Sequence, residues 1–338
     1  MRAVELTGPG QHHLVELPDP TPGPDEIVID VESSGVCGTD LRIVQGDYGH
    51  ISFPLVIGHE FGGHVSAVGE RVTGFAPGDL VGADPNAYCG QCEWCRRRAY
   101  NLCEHWAAIG ITRTGALAEK VAVSAALAVR LPDVLDAETA ALIEPLSCVL
   151  HAMERGQVEG DRTMLVYGAG AIGLMALVTA RARGLAVCVV EPHERRQARA
   201  LDLGAVASSG DVAGLGTGEQ FDYVLDASGA LPAISDGLGR LRKRGTFIQM
   251  GVAPTAAVLP YSPYDLYEKE WRIIGSNSVA DCYQLAAETM PSIVDDMRSL
   301  ITHRVSLEDF DEAVAAMASP DAIKVHLRPS PANSGNGQ

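Results

Sequence analysis

The chain has 338 residues, 46 % of them apolar, so it can bury one or two substantial cores and is expected to form two domains. Its formal net charge of −17 at pH 7 opposes binding to nucleic acid or to an anionic membrane surface, because both attract positive charge. A small neutral substrate fits this charge better.

The N-terminal residues Met1-Arg2-Ala3-Val4-Glu5-Leu6 predict an opening strand rather than a signal peptide, because they do not pair a basic stretch with an apolar run. The sequence also has no charge-free segment of about 18 residues that would span a membrane. We therefore expect a cytoplasmic protein without a membrane partner. Residues 1–140 are rich in glycine and proline, with β-branched runs such as 27–31, and predict an irregular, β-dominated domain.

Within this first domain, Cys37, His59 and Glu60 offer a thiolate, an imidazole and a carboxylate from separate segments. Scattered ligands of this kind are typical of catalytic zinc, which keeps one coordination position open for water or substrate. Taken singly, Cys37 could equally be a small buried apolar residue and His59 a core histidine.

Four further cysteines lie within fifteen residues, at spacings that let one loop enclose a tetrahedral zinc ion. Four protein ligands leave no open position, so we expect a structural site that folds a lobe of about residues 85–105. An iron–sulfur cluster, or reduced thiols without metal, are the alternatives. The four residues are Cys89, Cys92, Cys95 and Cys103.

From about Glu144, buried-strand runs alternate with helical segments, which predicts a parallel sheet covered on both faces. A later helix and a closing strand are expected to rejoin the first domain. The predicted domains are 1–143 with 278–328, and 144–277, followed by a disordered tail at 329–338. The predicted strands are 163–167, 186–190, 221–226, 246–250, 271–274 and 324–327, and the helices are 171–183, 194–203, about 231–242 and 283–290.

A glycine pattern, Gly168-x-Gly170-x-x-Gly173, follows the first of these strands and opens a helix. In that context the first glycine permits a tight turn, the second lets the backbone approach a pyrophosphate, and the third lets helix and strand pack closely. The helix N-terminus adds free N–H groups and the positive end of its dipole. A glycine-rich turn without a ligand is the alternative.

Glu191 ends the second strand, 18 residues after Gly173, where a carboxylate can accept hydrogen bonds from both ribose hydroxyls of a dinucleotide. A 2′-phosphate there would meet like charge, so NAD is favoured over NADP. His193, Arg195 and Arg196 would accommodate NADP if their loop turned inward. The remaining alternative for Glu191 is a solvated acid at a strand end.

The stretch Gly58-His59-Glu60, followed by Gly63, Gly69 and Val72, resembles the zinc signature of the zinc-containing medium-chain dehydrogenase/reductase family, which includes alcohol, sorbitol, threonine and glucose dehydrogenases. The resemblance covers nearly the whole chain. It implies an α/β fold with a GroES-like, β-rich catalytic domain, split in sequence, around a Rossmann domain with a doubly wound parallel sheet. It also implies a zinc-dependent, NAD-linked alcohol or polyol dehydrogenase that forms a homodimer or homotetramer.

By this resemblance, Cys37 and His59 bind the catalytic zinc, and Glu60 is a ligand that exchanges with water. The segment Ile143-Glu144-Pro145-Leu146 is similar to the polyol and sugar branch of the family, whereas alcohol dehydrogenases carry a cysteine there. Glu144 is therefore expected to approach the zinc directly or through water. Its alternative role is an acid that stabilises a helix start.

The resemblance also assigns the proton transfer. Thr39 is expected to pass a proton from the substrate oxygen toward the ribose and solvent, and Asp40 to hold the free ring nitrogen of His59. Many relatives carry a histidine three residues after the threonine, but this chain has Arg42, which is a poor proton acceptor. The relay is then expected to end at water, at Glu144 or at His50.

The resemblance implies two zinc ions per chain and a set of contacts to NAD. Tyr48, His50, Asn86 and Trp106 are positions that suit either hydroxyl recognition or loop packing. The expected cofactor contacts are Gly168, Gly170, Ala171, Ile172, Gly173, Glu191, Arg196, Gly251, Val252 and Asn277.

Two rival functions stay open from the sequence. One is an NADP-linked aldose dehydrogenase or carbonyl reductase, which Glu144 and the arginines after Glu191 favour. The other is a zinc-braced dinucleotide-binding redox sensor, which would require a disabled catalytic metal site.

Overall fold

Short strands dominate residues 1–145, as the β-branched runs predict. The computed structural model of the protein describes residues 1–49, 51–216 and 220–329. Two predictions therefore fall outside the described residues: His50, and the tail beyond Pro329. The strands are β1 (Arg2–Gly8), β2 (Gln11–Glu16), β3 (Glu26–Gly35), β4 (Leu55–Val56), β5 (Glu60–Val68), β6 (Leu80–Ala83), β7 (Asn86–Ala87), β8 (Ala107–Ala108), β9 (Lys120–Ser124) and β10 (Ala128–Arg130); the helices are α1 (Gly38–Gln45), α2 (Glu93–Arg96) and α3 (Ala137–Ala141), with a 3-10 turn at Tyr100–Leu102.

Strands and helices then alternate, and every strand pair in this region is parallel. The elements are α4 (Ile143–Gly156), β11 (Thr163–Tyr167), α5 (Ala171–Ala182), β12 (Ala186–Val190), α6 (Glu194–Asp202), β13 (Ala207–Ser209), a 3-10 turn (Ala213–Leu215), β14 (Phe221–Asp226), α7 (Leu231–Gly239), β15 (Leu241–Gln249), α8 (Pro263–Glu268) and β16 (Arg272–Gly275). The strands lie in the order β13-β12-β11-β14-β15-β16. From β11 the chain adds strands first on one side and then, from β14 onward, on the other, which confirms the predicted doubly wound sheet.

One predicted boundary in this sheet is wrong. The helix expected at about 231–242 ends at Gly239, and the strand expected from residue 246 already begins at Leu241. Glycines at 237 and 239 weaken a helix, and Leu241 instead pairs with Phe221 on the neighbouring strand.

The last segment rejoins the sheet of the first residues. Its elements are α9 (Tyr283–Thr289), a 3-10 turn (Met290–Ile293), α10 (Val294–Arg298), β17 (Ile301–Ser306), α11 (Phe310–Met317) and β18 (Lys324–Arg328). The resulting sheet has the order β10-β6-β5-β3-β18-β17, and β9 also pairs with β3.

The chain divides into two units, Met1–Pro145 with the segment from Val279 onward, and Leu146–Ser278. The sequence places these boundaries after residues 143 and 277. Each unit has its own apolar core; that of the first includes Ile27, Ile29 and Val31, which alternate inward along β3. None of the helices in the described ranges is long and apolar enough to cross a membrane.

Strand β3 is the element that positions the functional side chains of the first unit. It lies between β5 and β18, with Gly35 paired to Glu60 on one side and to His326 on the other. Because sheet pairing fixes this register, side chains that are far apart in sequence meet at the end of β3.

Candidate active site

Cys37, His59 and Glu60 lie together at the end of β3. Cys37 caps the N-terminus of α1, His59 directly precedes β5, and Glu60 is the first residue of β5. One potential ligand atom from each, a sulfur, a ring nitrogen and a carboxylate oxygen, lies within 4.8 Å of the other two. His59 and Glu60 are buried. A sulfur, a nitrogen and an oxygen atom this close together suit a zinc ion.

Asp40 joins two members of this group. Its Oδ2 accepts the backbone N–H of Cys37 at 2.8 Å, and its Oδ1 lies 3.4 Å from His59 Nδ1. Burial by itself lowers the pKa of His59, but the charges of Asp40 and Cys37 raise it well above its usual value. This geometry leaves His59 Nε2 as the nitrogen that a metal would use. The orienting role of Asp40 stays a prediction.

Glu144, near the start of α4, is 8 % exposed but is not a member of the three-atom group. Burial raises the pKa of its carboxyl to about 7, with His59 opposing this shift and Glu60 adding to it. These interactions place Glu144 in the same electrostatic environment as the group. Its approach to a metal, directly or through water, stays a prediction.

Lys324 on β18 is a residue of this site that the sequence did not single out. It is 3 % exposed, forms an ion pair with Glu60, and donates its Nζ hydrogen to the carbonyl of Val36 at 3.2 Å. Burial by itself lowers the pKa of Lys324, but Glu60 and Cys37 raise it above its usual value. A lysine inside the apolar run of a closing strand is the signal that points to such a residue.

The predicted proton relay begins on α1. Thr39 is half-buried, and its hydroxyl has no hydrogen-bond partner among the described residues. Arg42 instead pairs with Asp47 at 3.7 Å and lies over the ring of Tyr48, 5.7 Å from its centre. The guanidinium is therefore engaged with neighbouring groups and does not replace the histidine of relatives as a proton acceptor.

The four cysteines of the predicted lobe form a second group, with sulfur-to-sulfur distances of 3.6 Å between Cys89 and Cys103 and 3.9 Å between Cys92 and Cys103. All four sulfurs lie within 4.8 Å of one another. Backbone N–H groups of Cys95 and Glu104 lower the pKa of Cys92 to about 6. Four converging sulfurs, of which those of Cys89, Cys92 and Cys103 accept backbone hydrogen bonds, fit a metal held by thiolates.

The base of this lobe is held by hydrogen bonds. Asp84 Oδ1 accepts the backbone N–H and the side-chain amide of Asn86 at 2.9 and 2.7 Å, and Trp106 Nε1 donates to Asn86 Oδ1 at 2.9 Å. Burial raises the pKa of Asp84 to about 6. Asn86 and Trp106 therefore bond to each other, which favours the packing interpretation of these two positions.

The glycine pattern of the second unit has the geometry that its spacing predicts. Gly168 adopts a φ of +95° directly after β11, a conformation that favours glycine. At Gly173 a Cβ would contact the carbonyl oxygen of Gly168, whereas at Gly170 a Cβ would meet nothing within 4 Å. The turn is therefore tight where it packs on the strand and open at the helix N-terminus.

Glu191 is 3 % exposed, so the solvated-acid alternative is wrong. Its Oε2 accepts the N–H of Ala169 at 2.8 Å, and its Oε1 accepts the N–H of His193 at 3.0 Å. The carboxylate is thus fixed beside the glycine turn, and each oxygen keeps a lone pair for a further donor.

Asp226 fixes the loops at the ends of the next two strands. Its buried carboxylate accepts hydrogen bonds from the backbone of Ser228 and Gly229, each at 3.0 Å, and from Gln249 Nε2 at 2.6 Å. Gly251 is held by its N–H to the carbonyl of Asp226 at 2.8 Å. Of the other predicted cofactor contacts, Val252 and Asn277 are exposed and Arg196 is half-buried on α6.

Comparison with known proteins gives one family match for each half of the chain. Residues 23–133 match the alcohol dehydrogenase GroES-like domain, and residues 137–328 match the glucose dehydrogenase C-terminus. The chain is 32 % identical to a sorbitol dehydrogenase from Halalkalibacterium halodurans over 97 % of this chain and 99 % of that protein. It is 33 % identical to a D-altritol 5-dehydrogenase from Agrobacterium fabrum, over 91 % and 94 % of the two chains.

The fold is also similar to that of a solved dehydrogenase from Sinorhizobium meliloti, assigned as zinc-binding and bound to NADP. The TM-score is 0.91 at 29 % identity, covering 97 % of this chain and 99 % of that one. These matches, which extend over nearly the full chain, confirm the resemblance drawn from the zinc signature. The chain therefore belongs to the zinc-containing medium-chain dehydrogenase/reductase family.

Proposed function

We propose that this chain is a zinc-dependent dehydrogenase that exchanges a hydride between a secondary hydroxyl of a polyol and NAD. The observation that carries the proposal is the group of Cys37, His59 and Glu60, whose unlike ligand atoms lie within 4.8 Å of one another. The similarity to dehydrogenases of sorbitol and D-altritol supports a polyol as substrate. Zinc bound by this group would supply Lewis-acid activation of the substrate hydroxyl.

The residues around the group would hold and move the proton. Asp40 Oδ1 lies 3.4 Å from His59 Nδ1, where it would hold the imidazole ring in one orientation. The free hydroxyl of Thr39 would accept the proton of the substrate hydroxyl while donating its own outward. The outer end of this relay is proposed at water, Glu144 or His50, because Arg42 stays protonated.

The glycine turn and Glu191 would bind the cofactor. The N-terminus of α5 offers free backbone N–H groups, and a Cβ at Gly170 would meet nothing within 4 Å, which supports a pyrophosphate at this position. The fixed carboxylate of Glu191 favours two ribose hydroxyls over a 2′-phosphate, and hence NAD. We propose Gly168, Gly170, Ala171, Ile172, Gly173, Glu191, Arg196, Gly251, Val252 and Asn277 as the contacts.

We propose a second, structural zinc at Cys89, Cys92, Cys95 and Cys103.

We also propose that the protein is a cytoplasmic homodimer or homotetramer. The exposed surface of the second unit supports self-association. Tyr261, Tyr264 and Tyr267 are 55–81 % exposed near the edge strand β16, where Ile273 is 44 % exposed. Exposed aromatic side chains beside an unpaired strand edge are typical of protein interfaces.

An NADP-linked aldose dehydrogenase or carbonyl reductase is the second candidate. The NADP bound to the Sinorhizobium meliloti protein and the two arginines that follow Glu191, Arg195 and Arg196, favour it. The redox-sensor alternative requires a disrupted catalytic metal group, and the convergence of Cys37, His59 and Glu60 argues against it.

A substrate panel tests the proposal directly. Polyols, simple secondary alcohols and aldoses are supplied with NAD or NADP, and nucleotide reduction is followed by absorbance with and without a zinc chelator. Chelator-sensitive reduction of NAD by polyols is expected. Preferred reduction of NADP by aldoses would support the second candidate, and one zinc per chain with no reduction by any compound would support the sensor.

A pair of variants tests the relay. Thr39→Ala removes the hydroxyl and is expected to lower turnover by about a hundredfold or more while leaving NAD affinity unchanged. Thr39→Ser keeps the hydroxyl and is the matched control, with turnover near that of the natural chain. Near-normal turnover of the alanine variant would remove Thr39 from the mechanism.

A further inference from the structure

Glu60 and Lys324 form an ion pair that is almost wholly buried. Glu60 is 2 % exposed and Lys324 is 3 % exposed, and the Lys324 ammonium contacts Glu60 Oε2. The same ammonium donates to the carbonyl of Val36 at 3.2 Å. Burying two charges is costly unless they are paired and hydrogen-bonded, so each partner strongly constrains the position of the other.

The sheet creates the space in which this pair forms. Gly35 on β3 pairs with Glu60 on β5, and β18 with Lys324 lies on the other side of β3. A Cβ at Gly35 would contact the Glu60 carboxylate and would lie 2.9 Å from Lys324 Cε. Because residue 35 has no side chain, the carboxylate can cross the strand and reach the lysine.

The same carboxylate is a member of the group with Cys37 and His59. Glu60 thus has two competing partners, the ammonium of Lys324 and a metal held by Cys37 and His59. We propose that Lys324 is a positioning residue: it holds Glu60 back from the metal and so keeps open the coordination position that the substrate oxygen needs. This inference rests on the proposed zinc-dependent function.

The local charges agree with this role. Lys324 interacts electrostatically with Glu60, Cys37 and Glu144. One divalent cation and one ammonium together balance the negative charges of a thiolate and two carboxylates. Without the ammonium, the Glu60 carboxylate would have only the metal as a close cationic partner and would bind it more often.

The proposed positioning role and a purely structural ion pair predict opposite changes in metal affinity when Lys324 is replaced. If Lys324 only stabilises the fold, its loss weakens metal binding together with the rest of the site. If Lys324 restrains Glu60, its loss makes metal binding tighter while turnover falls, since Glu60 then occupies the open position. Metal affinity therefore separates the two roles without reference to activity.

The experiment compares Lys324→Met with Lys324→Arg, which keeps the charge, and with Lys120→Met, which breaks a partly exposed pair with Asp30 at 2.6 Å. Co²⁺ is titrated into each protein with zinc retained at the four cysteines, and its affinity is read from the cobalt absorption bands. We expect Lys324→Met to bind Co²⁺ about tenfold more tightly, within the range of coupling between contacting residues. Lys324→Arg and Lys120→Met should stay close to the natural chain.

The effect must also depend on Glu60. In a Glu60→Gln background, Lys324→Met should no longer tighten Co²⁺ binding, because the competing carboxylate is gone. Unchanged or weaker Co²⁺ binding by folded Lys324→Met, or equal tightening in the Glu60→Gln background, would overturn the inference.

If Lys324→Met fails to fold, Glu60→Gln alone decides the question. A carboxylate held away from the metal predicts a change in Co²⁺ affinity below about threefold, whereas loss of a permanent ligand lowers it about tenfold or more. Failure of the proposed function is recognised separately. It would leave every alcohol unoxidised by the natural chain, while the Co²⁺ titrations need no substrate.

Discussion

Cys89, Cys92, Cys95 and Cys103 come from one loop, whereas Cys37, His59 and Glu60 come from two segments that are joined through the pairing of β3 with β5. The first group is surrounded by short turns and four-residue helix α2. The second is held by a seven-stranded sheet, by Asp40 and by the ion pair of Glu60 with Lys324. We therefore expect the loop to depend on a bound metal for its order, and the sheet to hold Cys37, His59 and Glu60 in place before any metal binds.

The largest expected effect follows from Cys95→Ser, which removes one of the four sulfurs. Because this loop has little apolar content of its own to fold it, we expect the loss of one zinc per chain and rapid proteolysis within residues 85–105. Elemental analysis and limited proteolysis measure this. Cys282→Ser is the control, because Cys282 is buried outside both groups. Full zinc content in Cys95→Ser would contradict the metal dependence of the loop.

His59→Ala should lower turnover without unfolding the four-cysteine loop, which is the reverse of the effect expected for Cys95→Ser. Loss of the imidazole is expected to lower turnover about a thousandfold, equivalent to about 4 kcal/mol, while the sheet and the four-cysteine loop stay folded. His64→Ala, on the same strand but paired with Glu32 near the surface, is the matched control. Steady-state turnover and proteolysis are measured on both variants. Proteolysis of the loop in His59→Ala would show that the two groups are not independent.

Asp84→Asn probes the base of the loop, where protein contacts rather than metal hold the chain. Burial gives Asp84 a folded pKa of about 6, against about 4 when unfolded, so the folded state binds the extra proton between these values. Stability contributed by the protonated carboxyl is therefore lost as the pH rises from about 4 to 6.

An asparagine at this position stays neutral and can still accept the hydrogen bonds from Asn86. We expect Asp84→Asn to raise the free energy of unfolding by about 3 kcal/mol at pH 7.5 and by about half as much near pH 5. Urea unfolding at the two pH values measures the difference. A gain that does not depend on pH would mean that the carboxyl does not titrate as its burial indicates.

The difference between the two groups also explains what the sequence can predict. The four cysteines are recognisable from spacing because one loop contains every ligand. Strands such as β11, β12 and β14 begin and end at the predicted residues, since each is a short apolar run between breakers. The family resemblance, confirmed by the full-length matches, was needed to bring Cys37, His59 and Glu60 together.

The pair of Glu60 and Lys324 shows where prediction from sequence ends. It depends on β3 lying between β5 and β18 and on the missing side chain of Gly35. Neither the register of three strands nor the space above a glycine is encoded in any local pattern. The boundary between α7 and β15 was missed for a similar reason, because the pairing of Leu241 with Phe221 outweighs the helical pattern before it.

The smallest expected effect concerns the attachment of the four-cysteine loop to the C-terminal segment of its own unit. Arg98 pairs with Asp281, but the two side chains are 74 % and 43 % exposed. Exposed ion pairs are screened by solvent and salt, so Arg98→Ala should shift the melting temperature by no more than about 2 °C and by less in 1 M salt. Alanine keeps a Cβ at a residue whose φ is +60°, so the backbone strain is unchanged.

Thermal unfolding of Arg98→Ala, Asp281→Ala and the double variant isolates the pair itself. A small, salt-sensitive coupling would mean that the loop is tethered weakly to the rest of the unit and takes its order from its four sulfurs and their metal. A coupling that survives 1 M salt, or that shifts zinc content as Cys95→Ser does, would instead make this ion pair part of what folds the loop. Protein contacts would then help to order the four-cysteine loop as they order Cys37, His59 and Glu60, and the two groups would differ only in degree.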